Sequence, residues 1–282
     1  MGRTNALVAQ VQEIRRRGRM ALCGYFLAGY PTPEEFYRAV RAAGRLDVIE
    51  FGLPSVEPRL DGPVISGAHQ VVVGERGLYT ETALALLGGL RDLPQPRIVM
   101  TYAHEGRELD GFLSLCQQHD VCAILAPDLE VDEAAYVSER ARWLGLAFVG
   151  FGSNTMPRAR VAEMACMSDM MYLQLAKGPT GSALTLGPEQ LGELRDLAAF
   201  VRASNGHVLV AGGIGIQSGE QISRLAEADL DMVVVGTKLV HCLQEDQPEL
   251  ERCLEELSSA TRGQASERAP LADGHSEPAV SR

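Results

Sequence analysis

Eight short apolar runs recur along the chain: MALCGYFLAGY (20–30), DVIEFGL (47–53), RIVMTYA (97–103), VCAILAP (121–127), LAFVGFG (146–152), MMYLQLA (170–176), HVLVAGG (207–213) and DMVVVG (231–236). They lack polar alternation, which is how a strand reads when both of its faces are buried, as in a parallel sheet covered by helices. Between them lie segments with helix-start signals and 3.6-residue spacing. Thr32-Pro33-Glu34-Glu35 combines an N-cap, a proline at the first helical position and a glutamate three residues after the cap. Residues 131–146, 157–169, 187–204 and 217–230 follow later runs in the same way. Strand then helix, repeated eight times in about 250 residues, predicts an α/β fold, a (β/α)8 TIM barrel. A doubly wound open sheet is the alternative, and eight units of even length favour closure.

Two stretches fall outside this repeat. Residues 4–18 predict an extra N-terminal helix placed to cover the bottom of the barrel. From about Arg262 the chain turns small, polar and aperiodic, which predicts a disordered tail. The expected organisation is one barrel domain over 1–260 and a tail over 261–282, and His275 in that tail receives no role.

The charge balance narrows the partners. A net charge of −11 and a pI near 5.1 argue against a nucleic-acid-binding surface, which must supply counter-charge to phosphates, so a small molecule or a protein is expected. No apolar stretch follows the N-terminal basic residues, so no secretion signal is expected, and no run reaches the roughly 18 apolar residues of a membrane span. Six cysteines without CxxC pairs read as buried reduced thiols. A cytoplasmic protein follows. The six histidines have no metal-binding spacing, and neither GxSxG nor GxxxxGK[ST] occurs.

In a barrel the active site gathers at the C-terminal ends of the strands, which gives each motif an address. In DVIEFGLPSVEPRLDGPVIS, Glu50 falls near the end of an apolar strand and Asp61 in the loop beyond it. A carboxylate in apolar surroundings is costly unless it is paired or used. Glu50 could pair with a basic residue and Asp61 could make a turn before Gly62; position alone leaves both readings open. Glycine-rich turns follow the last three strands, KGPTGS (177–182), AGGIGIQSGEQ (211–221) and VVGTKLV (234–240). Backbone N–H groups at such turns, with the next helix start behind them, suit a phosphate. Lys177 could form a Schiff base or assist phosphate capture, and Lys238 reads as a solvated side chain. Tyr25, Tyr102 and Tyr172 could line the mouth or simply pack.

These residues resemble the alpha subunit of tryptophan synthase over about residues 5–255. IEFGLPSVEPRLDGP, GPTG, GIGIQSGEQ, VVGTKLV and Pro127-Asp128-Leu129 occur in that family's order. The resemblance implies retro-aldol cleavage of indole-3-glycerol phosphate to indole and glyceraldehyde 3-phosphate, with no cofactor, metal or Schiff base. It makes Glu50 the acid/base catalyst and Asp61 the partner of the indole N–H. It puts Tyr172 and Ile214 beside the indole, Thr180 against the aspartate, and Gly181, Gly215, Gly236 and Thr237 around the phosphate, with Tyr25 and Tyr102 as further substrate-lining candidates at the mouth. It also implies a pyridoxal-phosphate β subunit as partner. The docking surface is altered, with Ser55-Val56-Glu57-Pro58 and His104 standing at family docking positions, and Ile214 and Tyr30 also depart from the pattern. The expectation is a lyase that acts either stand-alone or in specialised metabolism with weakened β pairing. The alternatives are a lyase on another phosphorylated substrate, using Lys177, and a non-catalytic activating partner of a β subunit.

Overall fold

The computed structural model describes residues 4–103, 109–175, 186–213, 215–245 and 247–262. Eight strands, β1 (Ala21–Leu27), β2 (Val48–Gly52), β3 (Arg97–Met100), β4 (Ala123–Leu125), β5 (Ala147–Ser153), β6 (Met170–Gln174), β7 (Leu209–Gly212) and β8 (Met232–Val235), pair in sequence order. All pairs are parallel, and β1 meets β8 with Ala21 opposite Met232, which closes the barrel. Each expected run contains one of these strands.

Around them lie α1 (Ala6–Arg16), α2 (Pro33–Ala42), α3 (Pro63–Gln70), α4 (Thr80–Leu87), α5 (Leu109–Gln118), α6 (Val131–Trp143), α7 (Arg158–Met167), α8 (Pro188–Ser204), α9 (Gly219–Leu225), α10 (Thr237–Glu245) and α11 (Gln247–Arg262). The cap read from sequence at α2 is present: the Thr32 side chain accepts from the Glu35 N–H, and Pro33 opens the helix. Two additions depart from one helix per strand. β2 is followed by α3, a π-turn at Val71–Glu75 and then α4, and α11 packs beside α9 and α10. Helix α11 runs two residues past the expected domain boundary at 260, and the tail over 263–282 lies outside the described residues.

Besides a smaller cluster that includes Tyr25, Leu27 and Ile65, the core has two large ones. One cluster fills the barrel with alternate strand residues, among them Cys23, Val48, Ile98, Ala123, Val149, Met170, Leu209 and Met232. The other, including Phe26, Phe36, Phe51, Phe148 and Leu194, lies between strands and helices. Burial on both faces explains why the strands carry no polar alternation. Helix α1 closes the bottom, as expected: Leu7, Val11 and Ile14 are buried in the inner cluster. The Asn5 side chain donates from Nδ2 to the carbonyls of Cys122 (2.8 Å) and Gly145 (2.9 Å), just before β4 and β5.

One device recurs at that bottom face. An aspartate immediately precedes β2, β6 and β8, and its carboxylate accepts a backbone N–H from the neighbouring strand. Asp47 takes that of Leu22 (2.9 Å), Asp169 that of Phe148 (2.9 Å) and Asp231 that of Val210 (2.7 Å). Each carboxylate thus pins the register where two strands start side by side, leaving the opposite mouth free for chemistry.

Candidate active site

The inward alternation of β2 sends Glu50 into the barrel, opposite Tyr25 of β1 and Ile98 of β3. Its residue is 4% exposed, and its Oε2 is buried without a hydrogen-bond partner. Burial first, and the nearby Asp61 charge second, push the carboxyl up to about 8. No basic residue pairs with it among the described residues, so the ion-pair reading of Glu50 falls away.

Asp61 is brought over the mouth by the loop between β2 and α3, which Gly62 and Pro63 turn into the helix. Its Oδ2 accepts from the Tyr102 hydroxyl at 2.8 Å, and that same oxygen of Tyr102 accepts from the Leu60 N–H at 3.1 Å. Tyr102 is fully buried and so stands behind Asp61 as a clasp on the loop. The Tyr102 phenol is held neutral, by burial and by the Asp61 charge.

Glu50, Asp61, Tyr25, Tyr172, Gly215, Gly236 and Thr237 line one pocket at the C-terminal mouth. Met100, Leu125, Phe151 and Gln174 supply further wall, one each from β3, β4, β5 and β6. Phe151 and Tyr172 stack with centroids 6.1 Å apart, a flat apolar face suited to an aromatic ring. The tyrosines lie so close to glycines that a Cβ would overlap them: one built on Gly52 would stand 2.1 Å from the Tyr25 hydroxyl oxygen, and one on Gly213 only 1.7 Å from that of Tyr172. Gly213→Ala is therefore expected to push the Tyr172 ring out of place and raise KM about tenfold while the far-ultraviolet spectrum stays that of the wild type.

The side of the pocket with the glycine turns is built from backbone. Gly215 has φ of +65°, a conformation that favours glycine. Gly236 and Thr237 precede and open α10, whose first N–H groups carry the positive end of the helix dipole. Lys238 lies elsewhere, in a cleft with His241, Glu245 and Arg252, which agrees with a solvated side chain. Thr180, Gly181, Ile214, Lys177 and His104 lie outside the described residues.

The wall residues and one deeper group were not singled out from the sequence. His69, on α3, is 1% exposed, with Nδ1 accepting the Ser55 N–H at 2.9 Å and Nε2 3.5 Å from Asp61 Oδ2. No sequence spacing marks it, because its contacts are made through a loop.

The closed barrel, with two acidic groups and a helix N-terminus lining one apolar mouth, has the build of a (β/α)8 acid–base enzyme. Comparison with known proteins narrows this. The family model described as tryptophan synthase alpha chain matches residues 11–269. The tryptophan synthase alpha chain of Burkholderia multivorans is 31% identical over 267 residues, covering 89% of this chain and 95% of that one. That of Methanosarcina acetivorans is 29% identical over 259 residues, covering 89% and 92%. Among solved structures, Mycobacterium tuberculosis tryptophan synthase superposes with a TM-score of 0.84 at 26% identity, covering 92% of this chain and 99% of that chain. A mutant alpha subunit from Pyrococcus furiosus gives 0.77 at 25% identity, covering 86% and 99%. The chain belongs to the tryptophan synthase alpha chain family, whose members are lyases that cleave indole-3-glycerol phosphate.

Proposed function

We propose that this chain cleaves indole-3-glycerol phosphate to indole and glyceraldehyde 3-phosphate, with Glu50 as the acid/base and Asp61 as the partner of the indole nitrogen. The observation that carries the reading is the buried, unpartnered Glu50 carboxyl, held up to about 8 in the pocket that Asp61 shares. At neutral pH such a group is mainly protonated and can give its proton to indole C3. The ring nitrogen then becomes cationic, and the Asp61 carboxylate, accepting its N–H, stabilises that charge. Glu50, now a carboxylate, takes the proton of the side-chain hydroxyl. The C–C bond breaks as the aldehyde forms, and the bonding pair returns to the ring and discharges the nitrogen. Glu50 ends as it began, protonated.

In this reading Tyr25, Tyr172 and the apolar wall enclose the ring, with Tyr102 acting through Asp61. Gly215, Gly236 and Thr237 take the phosphate, and Thr180, Gly181 and Ile214 complete the site. No cofactor is required. The surface offered to a β subunit is the loop after β2, where Val56 is 61% exposed beside the Glu57–Arg59 ion pair, and we infer weakened pairing from its altered residues. Residues 1–260 act as one domain. No helix among the described residues is long and apolar enough to cross a membrane. A cytoplasmic location fits the six unpaired cysteines.

The test is to incubate the purified chain with indole-3-glycerol phosphate, alone and with a β subunit, and follow indole release from pH 6 to 10. Release by the chain alone is expected. Its kcat/KM should hold to near pH 8 and then fall about tenfold per pH unit as free Glu50 loses its proton. Silence with and without the β subunit would overturn the reaction.

A further inference from the structure

We propose that His69 is a positioning residue for Asp61, supplying a second donor to its carboxylate when substrate is bound. His69 Nδ1 accepts the Ser55 N–H at 2.9 Å. A ring nitrogen that accepts must present its lone pair, so the ring hydrogen sits on Nε2. That nitrogen is buried without a hydrogen-bond partner, and 3.5 Å from it lies Asp61 Oδ2. The gap is longer than a formed hydrogen bond, but small enough for a modest side-chain rotation to close. Bonds of this kind are often loose in a free enzyme and tighten on the substrate. A buried donor whose nearest charged neighbour is an acidic oxygen has a defined use there.

The geometry gives the two carboxylate oxygens different duties. Tyr102 already donates to Oδ2 at 2.8 Å. With His69 added, Oδ2 carries two protein donors and Oδ1 is left for the indole N–H. The carboxylate plane is then set by Tyr102, just beyond β3, on one side and from α3 on the other. Because the same imidazole holds the Ser55 N–H, it also ties the loop after β2 to the orientation of Asp61.

The kinetic part rests on the reaction proposed above, and two variants divide the two ends of the ring. Gln reproduces the Nε2 donor, and Asn reproduces an acceptor near Nδ1 without that donor. In turnover of indole-3-glycerol phosphate, His69→Gln is expected to stay within about threefold of wild-type kcat, and His69→Asn to lose about tenfold in kcat with KM nearly unchanged. The reverse order would make His69 a support for Ser55 alone and overturn the proposal. A second readout needs no turnover: 15N spectra of the imidazoles in the wild type and in Asp61→Asn. An Nε2–H tautomer whose signals move in Asp61→Asn supports the assignment; an Nδ1–H tautomer or an unmoved signal overturns it. A wild type that leaves indole-3-glycerol phosphate intact yet shows this coupling would remove the proposed reaction and keep the positioning contact.

Discussion

Replacing Glu50 by Gln is expected to lower kcat for indole release by about 10²- to 10⁴-fold, the usual worth of a positioned acid/base. Gln has nearly the same shape and can fill the same place on β2, but it neither gives up nor takes a proton at C3 or at the side-chain hydroxyl. KM should change little, because the ring wall and the phosphate end are untouched. The same substitution is expected to stabilise the fold at neutral pH. The native carboxyl is raised to about 8, so between the ordinary glutamate range and pH 8 the unfolded chain has lost this proton while the native chain keeps it. The wild type therefore loses stability as pH rises through that window, by up to about 1.4 kcal/mol per pH unit, with no further loss above pH 8. Glu50→Gln removes that slope. Urea unfolding at pH 5 and pH 8 checks it: the variant should gain on the wild type at pH 8 and roughly match it at pH 5. A variant that is inactive but no more stable at pH 8 would mean that Glu50 is ionised in the native state.

The second large effect lies at the opposite end of the barrel. Asp231 is fully buried, and its carboxylate serves the Val210 N–H at 2.7 Å, the Arg202 guanidinium at 2.9 Å and the guanidinium of Arg15. It thus joins α1, α8 and β7 at the start of β8. Asp231→Ala leaves two cations and a backbone donor without this partner, and a loss of about 3–5 kcal/mol is expected. Asp231→Asn, which keeps an oxygen for Val210, should lose less. Urea unfolding reads both, and equal losses would show that the oxygen kept for Val210 contributes nothing and that the charge carries the whole effect. Indole release per folded molecule should stay near that of the wild type, since the pocket lies at the other mouth.

How far each feature could be read in the sequence follows from how local its cause is. The eight strands were legible because burial on both faces leaves continuous apolar runs, and α2 because Thr32, Pro33 and Glu35 act within one turn. The extra pieces α4 and α11 were not separately legible, since their places depend on packing against the finished barrel. Glu50 and Asp61 stood out by charge and position, whereas the tie between them and the pocket needed the fold. Tyr102 was visible in the third apolar run, although β3 ends at Met100, and its bond to Asp61 depends on where the loop from β2 returns. His69 was hidden most thoroughly. Its two partners, Ser55 and Asp61, lie 14 and 8 positions before it (69 − 55 and 69 − 61), and only the turn into α3 brings all three together.

Helix α1 has a kinetic consequence. The apolar floor it rests on includes Leu209 of β7 and Met232 of β8, so a chain being synthesised makes the helix long before it makes the helix's seat. Closing the ring joins Ala21 to Met232, positions 211 residues apart by subtraction, and contacts that distant form slowly because the chain entropy is spent before the pairing returns it. Until then Leu7, Val11 and Ile14 remain open to solvent or to other chains. The docking of α1 on its floor is therefore expected to come late in folding, and a fluorescent label on its outer face would time it.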